Sequence, residues 1–323
     1  MKGHNIYFLT LLVFLFGCTV KTEPETIRGV YHWKTTFGLN DAEQEFMGNH
    51  NVKRLYIRMF DVGYDWNKYD REVVPIATTV FKGGVPEGVE VVPTVYIVEE
   101  AIGKIHQDMG ELARKIVKRV LAMCSWNGLG EIKEIQYDCD WTKSSRQKFE
   151  DLCRHTKSIL AEKGILLSGT IRLHQLEEAE YPFDAGVLMM YNTGAVKSKF
   201  TKNSILDYDD AYKYLSVDRR ISKFIKAREH NCKIIDVAYP TFSWGVVFYN
   251  EKHMRKLVKD HENYKLAEGE SMRVEKSEME TILKVKRLVD RKIGKVCRGN
   301  IIYHLDSNNL GNYSRDEIER IYN

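Results

Sequence analysis

Two aspartates separated by one residue are the first candidates for chemistry in this sequence. Asp138 and Asp140 lie in the stretch "EIQYDCDWT", which otherwise has the composition of a buried strand. An unpaired buried carboxylate is costly, so these side chains must be paired, bind a ligand, or lie at the mouth of a cavity. Paired carboxylates on opposite sides of a bond can act as acid, base or nucleophile in hydrolysis.

A second carboxylate must come from another part of the chain, because Asp138 and Asp140 would approach a substrate from the same side. The candidates are Glu99, Glu100 and Asp306, with Asp61 behind them. Our catalytic hypothesis pairs Asp140 with one of these residues. Asp138 would then orient Asp140 and tune its pKa by like-charge repulsion.

The elements that must position these side chains follow one repeated pattern, a β-rich run, a loop and a segment with helical spacing. Eight β-rich runs occur, at 29–33, 54–61, 89–98, 134–141, 166–174, 186–192, 233–240 and 299–306. Helical segments are predicted at 41–50, 107–123, 143–163, 217–230, 278–293 and 314–322. This alternation predicts an α/β fold, a single-domain (β/α)8 TIM barrel over residues 29–323, with an open doubly wound sheet as the alternative.

In such a barrel, functional side chains collect at the C-terminal ends of the strands. The strand ends carry a ring of mixed charge that is rich in aromatic residues, which suits a polar ligand with apolar faces. The predicted ligand-binding residues are His32, Trp33, Arg58, Arg172, His174, Tyr191, Asn192, Tyr239, Trp244 and His304.

Alternation along the strands predicts which of these side chains meet inside the barrel. In the fourth strand Gln136, Asp138, Asp140 and Thr142 point inward. In the fifth strand Ser168, Thr170, Arg172 and His174 do so. Arg172 is therefore expected close to an aspartate. The alternative is a buried salt-bridge network that only ties strands together.

Three motifs resemble the chitinase-like family 18 glycoside hydrolases. "DCDW", "LMMYN" and "AYPTFSWG" match in order and spacing the family's D-x-D-x-E on strand four, its M-x-Y-D on strand six, and its proline, aromatic and glycine after strand seven. The stretches "VYHWKTTFGL", "IQYDCDWT", "TIRLHQ" and "FSWGVVF" also resemble an uncharacterised set of lipoproteins from Bacteroides-type bacteria. These resemblances imply a barrel that acts on or binds glycans.

One departure from the family pattern limits what it implies. Thr142 stands where the family has the glutamate that protonates the leaving oxygen, and a hydroxyl cannot act as that acid near neutral pH. Tyr191 matches the family's substrate-positioning tyrosine, whereas Asn192 replaces its aspartate. The resemblance implies a glycan-active protein outside the cytoplasm, a glycoside hydrolase that uses a different carboxylate, with a glycan or oligosaccharide as its partner. A glycan-binding protein without catalysis is the alternative.

The first residues indicate export. "MKGHNIYFLTLLVFLFGC" has a basic Lys2, a short apolar run and a terminal "LFGC" that resembles a bacterial lipobox. Residues 1–18 are thus predicted to be a lipoprotein signal peptide with Cys18 as the lipidation site, and residues 19–28 a tether. We expect the protein in the cell envelope, anchored by lipid to the outer membrane, facing either the periplasm or the surface. A plain signal peptide with an incidental Cys18 is the alternative.

Other partner classes have less support. A formal charge of +4 without a basic run indicates no nucleic-acid partner. His32, His174 and His304 could form a metal site with Asp138 or Asp140, but the first strand lacks the H-x-H pattern that is usual in such barrels. We therefore predict no metal and no cofactor. Besides Cys18, most cysteines are expected as small core residues, although one disulfide stays possible.

The long connections after strands six and seven are expected to border the site, with a surface helix at 251–266.

Overall fold

The computed structural model describes residues 26–64, 73–104, 108–178, 180–194, 196, 203–230, 232, 234–250, 253–294 and 297–323, with side chains of 227–230 and 297 left aside. The predicted signal peptide, Cys18 and most of the predicted tether lie outside the described residues. Ile27 and Arg28, the last two residues of that tether, belong to the first strand.

Eight parallel strands form a closed barrel, as the sequence predicts. The first strand pairs with both the second and the eighth, which closes the sheet and excludes the open alternative. In chain order the barrel strands are Ile27–His32, Arg54–Tyr64, Glu90–Ile97, Glu134–Asp138, Leu166–Ile171, Ala185–Met189, Ile234–Pro240 and Cys297–Tyr303.

Helices surround the barrel and bury their apolar faces against it. They span Asp41–Asn49, Glu99–Lys104, Met109–Trp126, Arg146–Ala161, Tyr208–Leu215, Asp218–His230, Met279–Ile293, Ser307–Leu310 and Arg315–Tyr322. A single 3₁₀ helix, Leu173–Glu177, follows the fifth strand, where only a short helix was expected. Cys124, Cys139, Cys153 and Cys232 are free and buried. Within the described ranges, none of the helices is long and apolar enough to cross a membrane.

The connection after the seventh strand contains a small antiparallel sheet, which we call the insertion sheet. Its strands are Ser243–Tyr249, His253–Val258 and Glu270–Lys276, with the first in the middle. The surface helix predicted at 251–266 is therefore wrong, because His253–Val258 is a strand. Its pairing, with Leu257 opposite Val246, outweighs the local helical preference of the charged sequence.

Short strands outside the barrel lie beside the C-terminal end of the second barrel strand. Val73–Ile76 pairs antiparallel with the end of the second barrel strand, and Thr36–Phe37 pairs with Val80–Phe81. These contacts fix the loop after the first strand against the loop after the second. Both loops therefore have a defined position at the C-terminal end of the barrel.

The N-terminal end of the barrel is closed by a network of buried charges. Arg54 donates to Glu90 at 2.7 Å and to Glu134 at 3.3 Å, while Arg298 donates to Asp236 at 3.1 Å. The hydroxyl of Tyr56 also donates to Asp236, at 3.3 Å. These residues come from the second, third, fourth, seventh and eighth strands. A salt-bridge network that ties strands together thus exists at the end opposite the predicted site.

Removing the carboxylate of Asp236 tests this network. Because Asp236 → Ala would leave Arg298 and Arg54 with less compensating charge inside the barrel, we expect the free energy of unfolding to fall by about 3 kcal/mol. Denaturation in urea measures it. The exposed Asp260 → Ala is the control and should change stability by less than about 0.5 kcal/mol. Equal losses in the two variants would contradict a stabilising role for the network.

Candidate functional site

The two aspartates share one guanidinium. Arg172, which directly follows the fifth strand, donates from Nη2 to Oδ1 of Asp138 at 2.9 Å and from Nε to Oδ1 of Asp140. The hydroxyl of Thr170 donates to the same Asp138 oxygen at 2.6 Å. The expected proximity of Arg172 to an aspartate is confirmed, and so is the inward direction of Thr170 and Asp138.

The two carboxylates differ in their exposure to solvent. Asp138 is 3% exposed, whereas the side chain of Asp140 is 47% exposed. Burial raises the pKa of Asp138, the guanidinium of Arg172 opposes this, and the charge of Asp140 adds to it. Asp140 is therefore the carboxylate that a ligand can reach, and Asp138 is the buried support behind Arg172.

Asp138, Asp140 and Arg172 together form an ion triad at the C-terminal end of the barrel, which we call the mouth. Aromatic rings form a continuous arc beside this triad. Ring centroids are 6.3 Å apart for Trp33 and Tyr96, 5.9 Å for Trp33 and Tyr303, and 4.8 Å for Tyr303 and Tyr191. The arc continues through Phe242 to Trp244, whose ring centroids are 5.2 Å apart. The guanidinium carbon of Arg172 lies 5.5 Å from the Tyr191 ring centroid, which joins the arc to the carboxylates. Such an arc offers apolar faces next to charged hydrogen-bonding groups.

Two members of the arc, Tyr96 and Tyr303, were missed at the level of sequence. Tyr96 is opposite Asp138 in the strand register, so it shares the inward face. Burial raises its pKa, and the charges of Asp140 and Asp138 raise it further. Alternation along the third and eighth strands is the signal that places both tyrosines on the inward face.

Arg58 lies at the mouth as predicted, but it is already paired. It donates from Nε to Asp61 at 2.8 Å and from Nη2 at 2.5 Å, and its guanidinium carbon lies 5.7 Å from the Trp33 ring centroid. This bidentate pair fixes Arg58 beside Trp33. Asp61 is therefore committed to a guanidinium and is not a free carboxylate.

The other candidate acids have separate roles in the loops. Glu99 accepts hydrogen bonds from the hydroxyls of Thr142 at 2.9 Å and Ser145 at 2.6 Å. Glu100 is exposed, and Asp306 caps the helix Ser307–Leu310 by accepting from the Asn308 amide at 3.0 Å.

None of the hydrogen bonds or ion pairs within the described ranges joins Glu99, Glu100 or Asp306 to Asp138 or Asp140. Thr142 stands where the family pattern has its acidic glutamate. The carboxylate that contacts this position is Glu99, which accepts a hydrogen bond from the Thr142 hydroxyl.

Two predicted ligand-binding residues, His32 and Tyr239, point away from the mouth. His32 is completely buried and lies edge-on to Phe37 at 4.9 Å, because it alternates with Tyr31, whose hydroxyl donates to Gln136 inside the barrel. Tyr239 is also completely buried and pairs with Ile302, next to the inward Tyr303. Both residues belong to the layer between barrel and helices.

His174 departs from the predicted inward face for another reason. The fifth strand ends at Ile171 and the 3₁₀ helix begins at Leu173, so the strand alternation no longer applies. His174 is exposed and its Nε2 lies 3.3 Å from the Trp141 carbonyl oxygen. It does not contact the ion triad, whereas Arg172, one residue after the strand, does.

The remaining predicted residues occupy distinct places. Asn192 is exposed and has a left-handed backbone, with φ of 56°, directly after the buried Tyr191. His304 follows Tyr303, and its Nδ1 is buried without a hydrogen-bond partner among the described residues. In the same part of the chain, no three His, Cys, Asp or Glu side chains converge in a way that could hold a metal ion.

A surface groove of about 610 Å³ lies elsewhere on the molecule. It is lined by Tyr208 together with Lys284, Arg287, Asp290 and Arg291 of the helix Met279–Ile293. None of these residues belongs to the arc or the ion triad. We therefore place the candidate site at the barrel mouth, where the charged and aromatic side chains converge.

The buried histidines predict loss of stability in acid. Burial is the main cause that lowers the pKa of His32 and His304 from 6.5 to about 4. The unfolded chain therefore binds protons first, so their contribution is complete above pH 6.5 and is lost as the pH falls toward 4. The unfolding free energy should fall by about 1.4 kcal/mol per pH unit for each histidine in that range.

Denaturant unfolding between pH 4 and 7 measures this dependence. His32 → Leu should remove about half of it, since neither ring nitrogen of His32 has a hydrogen-bond partner within the described ranges. The exposed His155 → Leu is the control and should keep the full dependence. A wild-type profile that stays flat in this interval would refute the assignment.

Comparisons with known proteins show the fold. No protein-family model matches the sequence, and no curated protein matches it significantly. Among solved structures, a chitinase from Bacteroides thetaiotaomicron has 14% sequence identity and a TM-score of 0.54, covering 92% of this chain and 96% of its own. The spore cortex-lytic enzyme SleL of Bacillus cereus has 13% identity and a TM-score of 0.53, and the match covers 94% of this chain and 75% of SleL.

A third neighbour was solved with a ligand. A mutant of catalytic domain 2 of the Group II chitinase from Ostrinia furnacalis, in complex with penta-N-acetylchitooctaose, has 12% identity and a TM-score of 0.53, covering 92% of this chain and 95% of its own. These likenesses cover nearly the whole chain at low identity. The protein therefore has the closed eight-stranded barrel of chitinase-like family 18 glycoside hydrolases.

Proposed function

We propose that this protein is a lipid-anchored, glycan-binding protein of the cell envelope that holds an oligosaccharide at the barrel mouth without hydrolysing it. The single observation that carries the proposal is the contact of Arg172 with both Asp138 and Asp140. The carboxylates at the D-x-D position are thereby occupied by an ion pair. In this proposal, these carboxylates form a fixed, charged surface that a ligand contacts.

Two features argue against hydrolysis at the paired aspartates. Asp140 is engaged in an ion pair with Arg172, so it is not a free carboxylic acid beside a leaving group. Thr142 cannot replace a carboxylic acid, and its hydroxyl is already bonded to Glu99. General acid catalysis contributes roughly 100- to 10,000-fold in rate, so its loss would leave little turnover.

Two further features support a glycan as the ligand. Sugar rings combine polar edges with apolar faces, and the mouth pairs an aromatic arc with Arg58, Asp140 and Arg172. The fold neighbours include chitinases, one of them in complex with an oligosaccharide. A glycan-binding role uses both the arc and the exposed carboxylate, whereas a purely structural network would leave the arc unexplained.

A hydrolase remains the second candidate, supported by one specific observation. Asp140 keeps nearly half of its side chain exposed, and Glu99 brings a carboxylate to the hydroxyl that stands in the acid's position. In this alternative Asp140 and Glu99 would be the working pair, with Asp138 behind them. A turnover measurement separates the two candidates.

Binding to a panel of oligosaccharides tests the proposal. We expect Trp33 → Ala to weaken binding of the best ligand about tenfold, since aromatic stacking contributes on the order of 1 kcal/mol. The matched control is Trp126 → Ala. Trp126 is 80% exposed and ends a helix that returns to the opposite end of the barrel. Equal affinities for wild type and Trp33 → Ala would contradict binding at the mouth.

The same panel, analysed for cleavage products, tests the absence of hydrolysis. We expect no products from the wild type during a prolonged incubation, because the site lacks a free acid. Products that disappear in Asp140 → Asn would overturn the proposal of binding without catalysis and would favour the hydrolase. Products that persist in Asp140 → Asn would point to a contaminating enzyme.

Anchoring through Cys18 is tested by fractionation. If the "LFGC" motif directs lipidation, wild-type protein should incorporate a labelled fatty acid and sediment with membranes, whereas Cys18 → Ser should do neither. Cys124 → Ser is the control, since Cys124 is buried in the barrel's helix layer. Membrane association that survives Cys18 → Ser would contradict the lipid anchor.

A further inference from the structure

We infer that Glu275 is a positioning residue that holds Trp244 in place as a stacking surface for a sugar ring, at the end of the aromatic arc. The inference deepens the proposed function and rests on it, because the role of Trp244 requires a glycan at the mouth. It assigns a part in ligand binding to Glu275, a residue that the sequence does not single out.

The carboxylate of Glu275 is wholly inside the protein and fully used. Its side chain is 0% exposed. Its Oε1 accepts from Nε and Nη2 of Arg273 at 2.8 and 2.6 Å. Its Oε2 accepts from the indole Nε1 of Trp244 at 2.9 Å, from the Ser204 amide at 3.0 Å and from the Ser204 hydroxyl. One charge therefore organises five donor atoms.

These contacts join two long connections into one wall. Ser204 belongs to the connection after the sixth strand, whereas Trp244 and Glu275 lie opposite each other on neighbouring strands of the insertion sheet, after the seventh. A second contact reinforces the junction, since the Asn203 side chain donates to the Lys276 carbonyl at 2.6 Å. Removing the Glu275 charge would release both connections at the same point.

The position of Trp244 links this wall to the mouth. Its ring packs on Phe242, and Phe242 in turn packs on Tyr191 at 5.8 Å and on Tyr303 at 5.8 Å. Trp244 itself is only partly buried. Its N–H is directed inward to Glu275, so the accessible part of the indole is the apolar ring, which is the part that a sugar face contacts.

Fixing the ring before the ligand arrives favours binding. A tryptophan without a partner for its N–H would adopt several rotamers and would lose that freedom when a sugar stacks on it. The charge-assisted hydrogen bond to Glu275 restricts the ring in the free protein. Glutamine at this position would present one amide oxygen and two N–H donors to a surrounding set of donors, so at least one side of the junction would be left unsatisfied.

The experiment compares Glu275 → Gln with Glu270 → Gln, a matched control on the same insertion strand. Glu270 accepts from Arg255, Tyr264 and the Ala267 backbone amide, and within the described ranges none of its hydrogen bonds involves Trp244. The readouts are the ¹H–¹⁵N signal of the Trp244 indole, assigned with Trp244 → Phe, the affinity for the best glycan of the panel, and the unfolding midpoint.

We expect Glu275 → Gln to shift or broaden the Trp244 indole signal and to weaken glycan binding by about three- to tenfold, which is about 0.7 to 1.4 kcal/mol. Glu270 → Gln should change neither. Trp244 → Phe should bind more tightly than Trp244 → Ala, because it keeps a ring while losing the N–H.

The outcomes separate this inference from the proposed function. An unchanged indole signal and unchanged affinity in Glu275 → Gln would overturn the inference while leaving the proposed function standing. Equal effects of the two glutamine variants would show general stabilisation of the insertion sheet and would also overturn it. Failure of the wild-type protein to bind any glycan would overturn the proposed function, and the indole signal would still report whether Glu275 positions Trp244.

Discussion

Closure of the barrel is the constraint on which the rest of the structure depends. The first strand pairs with the second on one side and with the eighth on the other, so all eight strands share one interior. Within that interior, alternation decides which residues meet. Direct pairing of the third, fourth and fifth strands places Asp138 beside Tyr96 and within reach of Arg172, which follows the fifth strand. Closure joins the other part of the mouth, because the pairing of the first and eighth strands brings Trp33 and Tyr303 into contact. Without it the aromatic arc would be divided.

The interior holds charge at both ends, with different degrees of compensation. At the N-terminal end, two arginines pair with three carboxylates, and these charges come from five strands. At the mouth, one guanidinium faces two carboxylates, and one of these is open to solvent. Structural charge is thus separated from the charge that a ligand can meet. The aromatic arc lies only at the open end, which is why we place the function there.

The sequence was informative where a residue type and a periodicity agreed. Eight β-rich runs predicted the barrel, and alternation predicted that Arg172 would reach an aspartate. The predictions failed where the backbone left the regular strand. His174 lies beyond the strand in a 3₁₀ helix, and the charged segment that contains His253–Val258 became a strand because a partner strand was available. His32 was placed at the mouth for its chemistry alone, although alternation with Tyr31 already directed it outward. The contacts of Glu275 could not be predicted, since they join segments far apart in sequence and depend on tertiary pairing.

Barrel closure also orders the events of folding. The register that pairs Ile27 with Gly299 joins residues from the beginning and the end of the barrel, so these hydrogen bonds form only after the intervening chain has collapsed. Neighbouring strands and helices can associate earlier, but the ring itself stays open until its eighth strand is present. A chain of this topology therefore remains without a closed barrel until its eighth strand has been synthesised, and the contact between Trp33 and Tyr303 at the mouth can form only after that.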